Sequence, residues 1–200
     1  MIYSVSGMLS HKDQNFAVVD CGGVGMLCYC SLRTLAKIGQ VGTSVFLYTL
    51  MNVREDAIDL FGFADQAELG CFKMLISVSG VGPKVALGIL SDLSPERFAL
   101  CIASGDAKSL RQCGGVGPKL AQRILLELKD KMKGIEYATG EGEALSAETI
   151  ETGALSEAIS ALTVLGYSKM DAAAALANAS PDATVEDLIK SGLKKLAAKL

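Results

Sequence analysis

The sequence predicts a mixed α+β chain in three parts: a small N-terminal β-barrel, a central helical region and a C-terminal three-helix bundle. Short β-type runs fill the first 64 residues, apolar residues at helical spacing follow, and an eleven-residue segment recurs 35 residues further on. We expect domains at residues 1–64, 65–143 and 153–200. Residues 144–152 are expected to form a flexible linker, within a Glu- and Gly-rich tether that begins near Gly134.

The barrel prediction rests on five runs rich in Val, Ile, Phe, Tyr and Leu, separated by breaks that carry Gly, Asn, Asp and Ser. The runs are MIYSVSGML, NFAVVDC, MLCYC, SVFLYTLMNV and AIDLFGF. A sheet of such short strands leaves few ways to protect its edges other than closure. We therefore expect the strands to close into a small barrel.

Helical periodicity begins after Asp65, where apolar residues recur three and four positions apart. The C-terminal segment has a similar apolar stripe that ends at Gly166, a glycine placed as a helix C-cap. Two Ser/Thr-x-x-Asp pairs resemble capping boxes that open further helices. These pairs are Ser168 with Asp171 and Thr184 with Asp187, and Pro181 separates the two helices.

Composition excludes several classes of protein. Half of the residues are apolar and the mean hydropathy is +0.35, which excludes a wholly disordered chain. The longest uncharged stretch, residues 38–53, is too short and too polar for a membrane span. The N-terminus has neither a basic start nor a continuous apolar run, so no signal peptide is predicted. We expect a soluble, cytoplasmic protein.

The six cysteines are interpreted as reduced structural thiols. Nothing in the sequence indicates secretion, so a disulfide framework is not expected. Cys28 and Cys30 are one residue apart and His11 is the only histidine, which does not fit the ligand spacing of a zinc site. We expect no metal and no cofactor.

Basic residues are concentrated in the middle of the chain. The net charge is −3 overall, but residues 71–133 carry ten basic and five acidic groups, whereas residues 1–64 and 144–200 are each slightly acidic. A polyanion that binds this protein is therefore expected to bind the central region.

The repeat lies in this basic region. Residues 80–90 read GVGPKVALGIL and residues 115–125 read GVGPKLAQRIL. Gly80 and Gly115 are predicted to open a tight turn, while Gly82 and Gly117 allow another backbone to come close. Each proline stands where a helix begins, so the backbone N–H groups that follow form a ready site for an anion.

A positive charge follows each turn, because Lys84 and Lys119 occupy equivalent positions. Two such units, related by pseudo-twofold symmetry, can hold two phosphates of one duplex without reading base sequence. The alternative is that Gly-x-Gly-Pro only turns one helix into the next. Two copies that both retain the lysine favour phosphate binding. No Walker A string occurs, so the chain does not look like an ATPase.

The order of these parts resembles the RuvA family, the Holliday-junction-binding subunits of the bacterial branch-migration complex. The resemblance rests on the paired GVGPK motifs, on VREDAIDLFGF (53–63) and on ALTVLGYS (161–168), and it extends over the whole chain. It implies an OB-like barrel, a tandem helix-hairpin-helix domain and a UBA-like three-helix bundle. It also implies a homotetramer that holds a four-way junction open and square. Whether a tetramer or an octamer binds DNA stays open.

The resemblance also implies roles for individual residues. Glu55 and Asp56 match the acidic pin, which repels DNA phosphates at the junction centre, although a charged, solvated turn is an ordinary alternative. Lys84, Lys119 and Arg123 are expected to contact phosphates, with backbone geometry supplied by Gly80, Gly82, Gly115 and Gly117.

The C-terminal bundle is expected to bind the ATPase motor RuvB, through Leu162, Leu165 and Tyr167, although Leu162 also suits a plain helical core. The resolvase RuvC is a further expected partner. No catalytic residue and no membrane contact are expected, and ATP hydrolysis is assigned to RuvB.

The sequence leaves two other classes of function open. A helix-hairpin-helix glycosylase or nuclease needs catalytic groups near the hairpins, and Asp92 and Asp106 have no spacing that supports such chemistry. A protein-binding scaffold is suggested by the acidic pI of about 5.3.

Overall fold

A computed structural model describes residues 1–138, 154–177, 179–180 and 183–197. The chain divides into two compact units. The first comprises residues 1–76 and 82–94, and the second comprises residues 77–81 and 95–200. The expected linker at 144–152 lies outside the described residues, and the domain boundaries drawn from the sequence remain predictions.

The first unit is built on a closed five-stranded barrel, as predicted. Its strands are β1 (Ser4–Lys12), β2 (Phe16–Asp20), β3 (Gly25–Tyr29), β4 (Ser44–Val53) and β5 (Ile58–Phe63). They close in the order β1-β2-β3-β5-β4. All neighbouring pairs are antiparallel except β3 and β5, which pair in parallel at Tyr29 and Phe61.

Alternation of side chains explains why these runs form a barrel. Val5 and Leu9 on β1, Val19 on β2 and Leu47 on β4 point inward and are almost fully buried, while the immediate neighbours of each on its strand are more exposed. Closing the sheet gives every strand two neighbours, so no long edge is left unpaired.

Three helices complete the first unit: α1 (Leu32–Lys37), α2 (Gln66–Ile76) and α3 (Pro83–Asp92). The short α1 was not predicted from the sequence. It begins at Ser31, whose Oγ accepts a hydrogen bond from the N–H of Thr34 at 3.0 Å. Helices α2 and α3 pack against each other.

A buried carboxylate joins α2 to α1. The Glu68 carboxylate accepts hydrogen bonds from the hydroxyl of Ser31 and, at 2.8 Å, from that of Thr34. Thr34 Oγ1 in turn accepts the N–H of Ala64 at 3.1 Å. Burial raises the pKa of Glu68 above its ordinary value, although the two hydroxyl hydrogen bonds act in the opposite direction.

The second unit contains α4 (Pro95–Ser104), α5 (Ala107–Gln112) and α6 (Pro118–Ala138). The two copies of the repeat differ before the turn, because α2 has eleven residues and α5 only six. The second copy has the shorter helix because α5 begins only after Asp106. Asp106 is its N-cap and accepts the N–H groups of Lys108 and Ser109.

Three further helices follow in the second unit: α7 (Ala154–Val164), α8 (Lys169–Leu176) and α9 (Val185–Ala197). They pack against one another as the predicted bundle. Gly166 follows α7 with a φ of +93°. Both predicted helix caps are confirmed, since Ser168 Oγ accepts the N–H of Asp171 and Thr184 Oγ1 accepts that of Asp187. Each aspartate carboxylate accepts the hydroxyl of its capping residue in return. Pro181 lies outside the described residues.

The six cysteines are free thiols, and all except Cys21 are buried. Burial raises the pKa of Cys28 to about 12, so that this thiol stays protonated at neutral pH. Within the described ranges, no cluster of three or more His, Cys, Asp or Glu side chains has the arrangement of a metal site. None of the helices described is long and apolar enough to cross a membrane.

Candidate nucleic-acid interface

The first turn of the repeat connects α2 to α3. The N–H of Val81 donates to the carbonyl of Val78 at 3.0 Å, and Gly80 between them has a φ of +86°. This left-handed conformation disfavours any residue with a Cβ, which explains why glycine stands here. Gly82 is the N-cap of α3 and Pro83 begins the helix, as the sequence predicted.

The second turn reproduces the first. The N–H of Val116 donates to the carbonyl of Cys113 at 3.2 Å, and Gly115 has a φ of +82°. Each of the following helices opens with the same hydrogen bond: Ala86 N–H to Gly82 carbonyl at 3.0 Å, and Ala121 N–H to Gly117 carbonyl at 2.9 Å. The sequence repeat is therefore a repeat of backbone geometry.

The N-terminus of each helix is open. A Cβ added to Gly82 or Gly117 would meet no heavy atom of the described chain within 4 Å. No side chain caps α3 at Gly82. Because Pro83 and Pro118 have no N–H, the amides of the residues that follow are the first donors of each helix, and helix geometry leaves them without an intrahelical acceptor. An anion can therefore approach both helix ends.

Exposed lysines lie close in the chain to both helix N-termini. Lys84 and Lys119 occupy the same position after the proline, and both are exposed. Lys73 and Lys108 are also exposed, each in the helix that precedes its turn. The positive end of a helix dipole and a nearby ammonium group both favour a negatively charged ligand.

Arg123 has a contact that the sequence did not predict. Its guanidinium Nη1 donates to the carbonyl of Ser79 at 3.3 Å, and the carboxylate of Glu127 accepts the N–H of Ser79, also at 3.3 Å. We call this pair of hydrogen bonds the Ser79 contact. Arg123 and Glu127 are four residues apart on α6, so their side chains share one face. The first turn is therefore held by the helix of the second copy.

This contact was missed because it joins residues more than forty positions apart. The only signal in the sequence was the opposite charge of two residues one helical turn apart, a spacing typical of an ordinary surface pair. Arg123 remains exposed, and in the first copy of the repeat its place is taken by Gly88. The two copies therefore differ at this position in side-chain chemistry.

Glu55 and Asp56 stand at the tip of the hairpin between β4 and β5. The last paired residues are Val53 and Ile58, and the N–H of Arg54 donates to the carbonyl of Ala57 at 2.8 Å. Both carboxylates are exposed, and in the described part of the chain neither takes part in a salt bridge.

Arg54 turns back from this tip. Its Nη2 lies 2.9 Å from Oδ2 of Asp59 on β5, so the positive charge next to the tip is paired with a carboxylate below it. The pairing of Arg54 with Asp59 was not predicted from the sequence.

The three C-terminal candidates differ in exposure. Leu162 is fully buried in the bundle and packs on Gly192, so that it belongs to the core. Leu165 and Tyr167 are half-buried at the end of α7. The N–H of Tyr167 donates to the carbonyl of Leu162 at 3.3 Å, which fixes the chain just after Gly166.

Asp106 is one of the two aspartates considered for an enzyme, but its carboxylate has a structural role. It accepts the hydroxyl of Ser109 at 2.6 Å in addition to two backbone N–H groups. These hydrogen bonds, that from the Ser109 hydroxyl first, lower the pKa of Asp106. A carboxylate held in this way suits a helix cap better than a general base.

Three family models match the chain in order. The RuvA N terminal domain matches residues 1–62, a SAM-like helix-hairpin-helix tandem matches residues 72–130, and the RuvA C-terminal domain matches residues 153–197. The three models together include the barrel, both turns of the repeat and the C-terminal bundle.

Similar proteins match over almost the full length. A protein of Acetivibrio thermocellus is 45% identical over 98% of this chain and 99% of its own, and one of Ruminiclostridium cellulolyticum is 43% identical over 98% and 100%. A third, from Chloroflexus aggregans, is 41% identical over 97% of both chains. Each is named Holliday junction branch migration complex subunit RuvA. With this identity over nearly the whole length, the chain belongs to the RuvA family.

Proposed function

We propose that this protein binds four-way DNA junctions as a non-catalytic subunit of a branch-migration complex. The observation that carries the proposal is the repeated GVGPK geometry: two turns with the same backbone, each followed by an open helix N-terminus and an exposed lysine. Contacts of this type bind phosphates and read no base sequence, so they suit a ligand defined by its shape.

Affinity is proposed to come from repetition. A net charge of +5 over residues 71–133 is modest for one chain. In a homotetramer four such surfaces meet one junction, and linked contacts raise avidity by roughly 10²–10⁴ over a single module. Lys84 and Lys119 provide the charge for the phosphates, and the exposed part of Arg123 adds to the second hairpin. An octamer is the alternative assembly.

The hairpin tip is proposed to set the geometry of the junction. Glu55 and Asp56 are exposed and, among the described residues, without a salt bridge, so they repel the phosphates that converge at a crossover. Repulsion there disfavours a closed junction and assists separation of the strands. This contribution gives specificity for an open, square junction and does not add affinity.

The C-terminal bundle is proposed to bind the RuvB motor, which supplies ATP hydrolysis. Leu165 and Tyr167 are the candidates for that contact, because both are partly exposed while Leu162 is buried. The names of the relatives, which describe a subunit of a complex, support a partner protein. The resolvase RuvC is a further proposed partner.

The experiment is a gel-shift titration against a synthetic four-way junction and a linear duplex of equal length and composition. We expect tight junction binding with discrete shifted bands, much weaker duplex binding, and intact DNA after incubation. Equal affinity for both would overturn the proposal and leave a generic duplex-binding protein. Base release or strand cleavage would instead identify an enzyme.

A further inference from the structure

The ion pair between Arg54 and Asp59 links the hairpin tip to the strand below it. We propose that Asp59 acts as a positioning residue that keeps the guanidinium of Arg54 away from the DNA and so keeps the tip negative. This inference rests on the proposed role of Glu55 and Asp56 and assigns a further residue to the same device.

The register of the hairpin places the two groups. Asn52 pairs with Asp59 and Val53 with Ile58, after which the chain leaves the sheet at Arg54. Asp59 thus lies on β5 in the pair next to the last pair of the hairpin, and its side chain is 21% exposed. The side chain of Arg54 is 55% exposed, so the guanidinium is the more accessible partner of the pair.

The pairing is not needed to form the turn. The backbone already closes it through the Arg54 N–H and the Ala57 carbonyl at 2.8 Å, a hydrogen bond that involves no side chain. Exposed ion pairs of this kind contribute little to stability. The position of the charge is therefore the main consequence of the Arg54–Asp59 contact.

That position matters because arginine binds phosphate strongly. A guanidinium presents a planar set of donors that matches two phosphate oxygens. Arg54 is adjacent to Glu55 in the chain, and an arginine extended beside the tip would attract the same phosphates that the two carboxylates repel. Bound to Asp59 at 2.9 Å, it leaves Glu55 and Asp56 as the charges that face a ligand.

The test compares Asp59→Asn with Asp59→Asn in an Arg54→Gln background, with junction affinity measured across a salt series. Asp59→Asn should raise junction affinity roughly two- to fivefold, the effect of one exposed ion pair, and make the salt slope steeper by up to about 0.9 per added phosphate contact. In the Arg54→Gln background, Asp59→Asn should change junction affinity and salt slope only as much as the loss of one negative charge does. The control variant measures that effect.

The matched control is Asp65→Asn, which removes the same charge from an exposed pair with Lys37 in the same unit. Asparagine can also keep the cap that Asp65 provides to the N–H of Glu68. This control gives the effect of one lost carboxylate away from the tip. Asp59→Asn should change junction affinity and salt slope more than this control does, but only in the protein that retains Arg54.

A base-analogue fluorophore at the crossover supplies the second readout. Strand separation should decrease in Asp59→Asn and should return when Arg54 is also replaced by Gln. The inference is overturned if Asp59→Asn matches the control, or if its effect is the same in both backgrounds. If the unmodified protein shows no junction preference, or if neutralising Glu55 and Asp56 leaves strand separation unchanged, the proposed function itself fails.

Discussion

Arg123 on α6 donates from its guanidinium to the carbonyl of Ser79, in the turn that precedes α3, at 3.3 Å. Glu127 accepts the N–H of the same residue, also at 3.3 Å. The backbone N–H and the carbonyl of Ser79 are thus both hydrogen-bonded by side chains of α6. The contact gives Arg123 a structural partner in addition to its proposed part in phosphate binding, and it holds the turn that contains Gly80.

Removing the carboxylate should loosen this turn. In Glu127→Ala the N–H of Ser79 loses its acceptor, and its hydrogen exchange should accelerate roughly fivefold, the equivalent of about 1 kcal/mol for one hydrogen bond. The measurement is amide exchange followed by NMR, with Glu157→Ala on the exposed face of α7 as the control. Unchanged exchange at Ser79 would show that the contact does not hold the turn in solution.

The glycines at the two helix N-caps should separate folding from binding. Gly82 and Gly117 have open space where a Cβ would lie, and Gly82 has a φ of −81° that alanine also adopts. Replacing both by alanine should change the free energy of unfolding by no more than about 1 kcal/mol. Junction affinity should nevertheless fall, because the new methyl groups occupy the space proposed for a phosphate.

Gly80→Ala is the contrasting variant. A Cβ there would lie 3.5 Å from Arg123 Nη1, an ordinary contact, but the φ of +86° strains any residue other than glycine. It should destabilise the protein by about 1–2 kcal/mol in urea unfolding.

Gel-shift titration of the Gly82→Ala, Gly117→Ala double variant tests the approach of phosphates to the N-caps. If this variant binds the junction as tightly as the unmodified protein, phosphates do not approach these helix ends.

Neutral residues at the hairpin tip should act on junction shape and leave affinity intact. Glu55→Gln combined with Asp56→Asn removes the repulsion of converging phosphates, so affinity should stay equal or rise while strand separation decreases. Gel-shift titration and fluorescence of a base analogue at the crossover measure the two effects. A large loss of affinity would contradict a repulsive role for these carboxylates.

The buried carboxylate of Glu68 should make stability depend on pH. Its pKa is raised in the folded protein from the ordinary value of 4.5, so between these two values the folded state binds more protons than the unfolded state. Stability from this group is therefore fully present below pH 4.5 and is lost as the pH rises through the folded pKa.

Urea unfolding of the unmodified protein and of Glu68→Gln across this pH range measures the effect. The unmodified protein should lose stability relative to the variant as the pH rises above 4.5, since glutamine does not ionise. A stability difference that stays constant with pH would show that Glu68 titrates normally despite its hydrogen bonds to Ser31 and Thr34.

Local patterns predicted much of this fold. The five strand runs, the glycine turns and the caps at Ser168 and Thr184 depend on residues close together in the chain, and the structure confirms them. The turns at Gly80 and Gly115 could be predicted because a left-handed backbone conformation strongly favours glycine.

Contacts between distant residues could not be predicted in this way. Nothing near Glu68 in the sequence indicates its burial, because its hydrogen-bond donors Ser31 and Thr34 lie more than thirty residues earlier in the chain. The Ser79 contact and the Arg54–Asp59 pair depend on side-chain directions that the barrel and α6 set after folding. The short α1 was missed because a six-residue helix has too few turns to show a period.

The central claim is that the two GVGPK turns bind phosphates, and the salt dependence of junction binding tests it most directly. The measurement is the slope of log affinity against log salt for the unmodified protein, for Lys84→Glu and Lys119→Glu, and for Lys194→Glu on α9 as an exposed control. Each hairpin substitution should weaken junction binding and reduce the slope by about 1 per lost contact, while the control changes neither. Hairpin variants with the unmodified slope and affinity would contradict the claim.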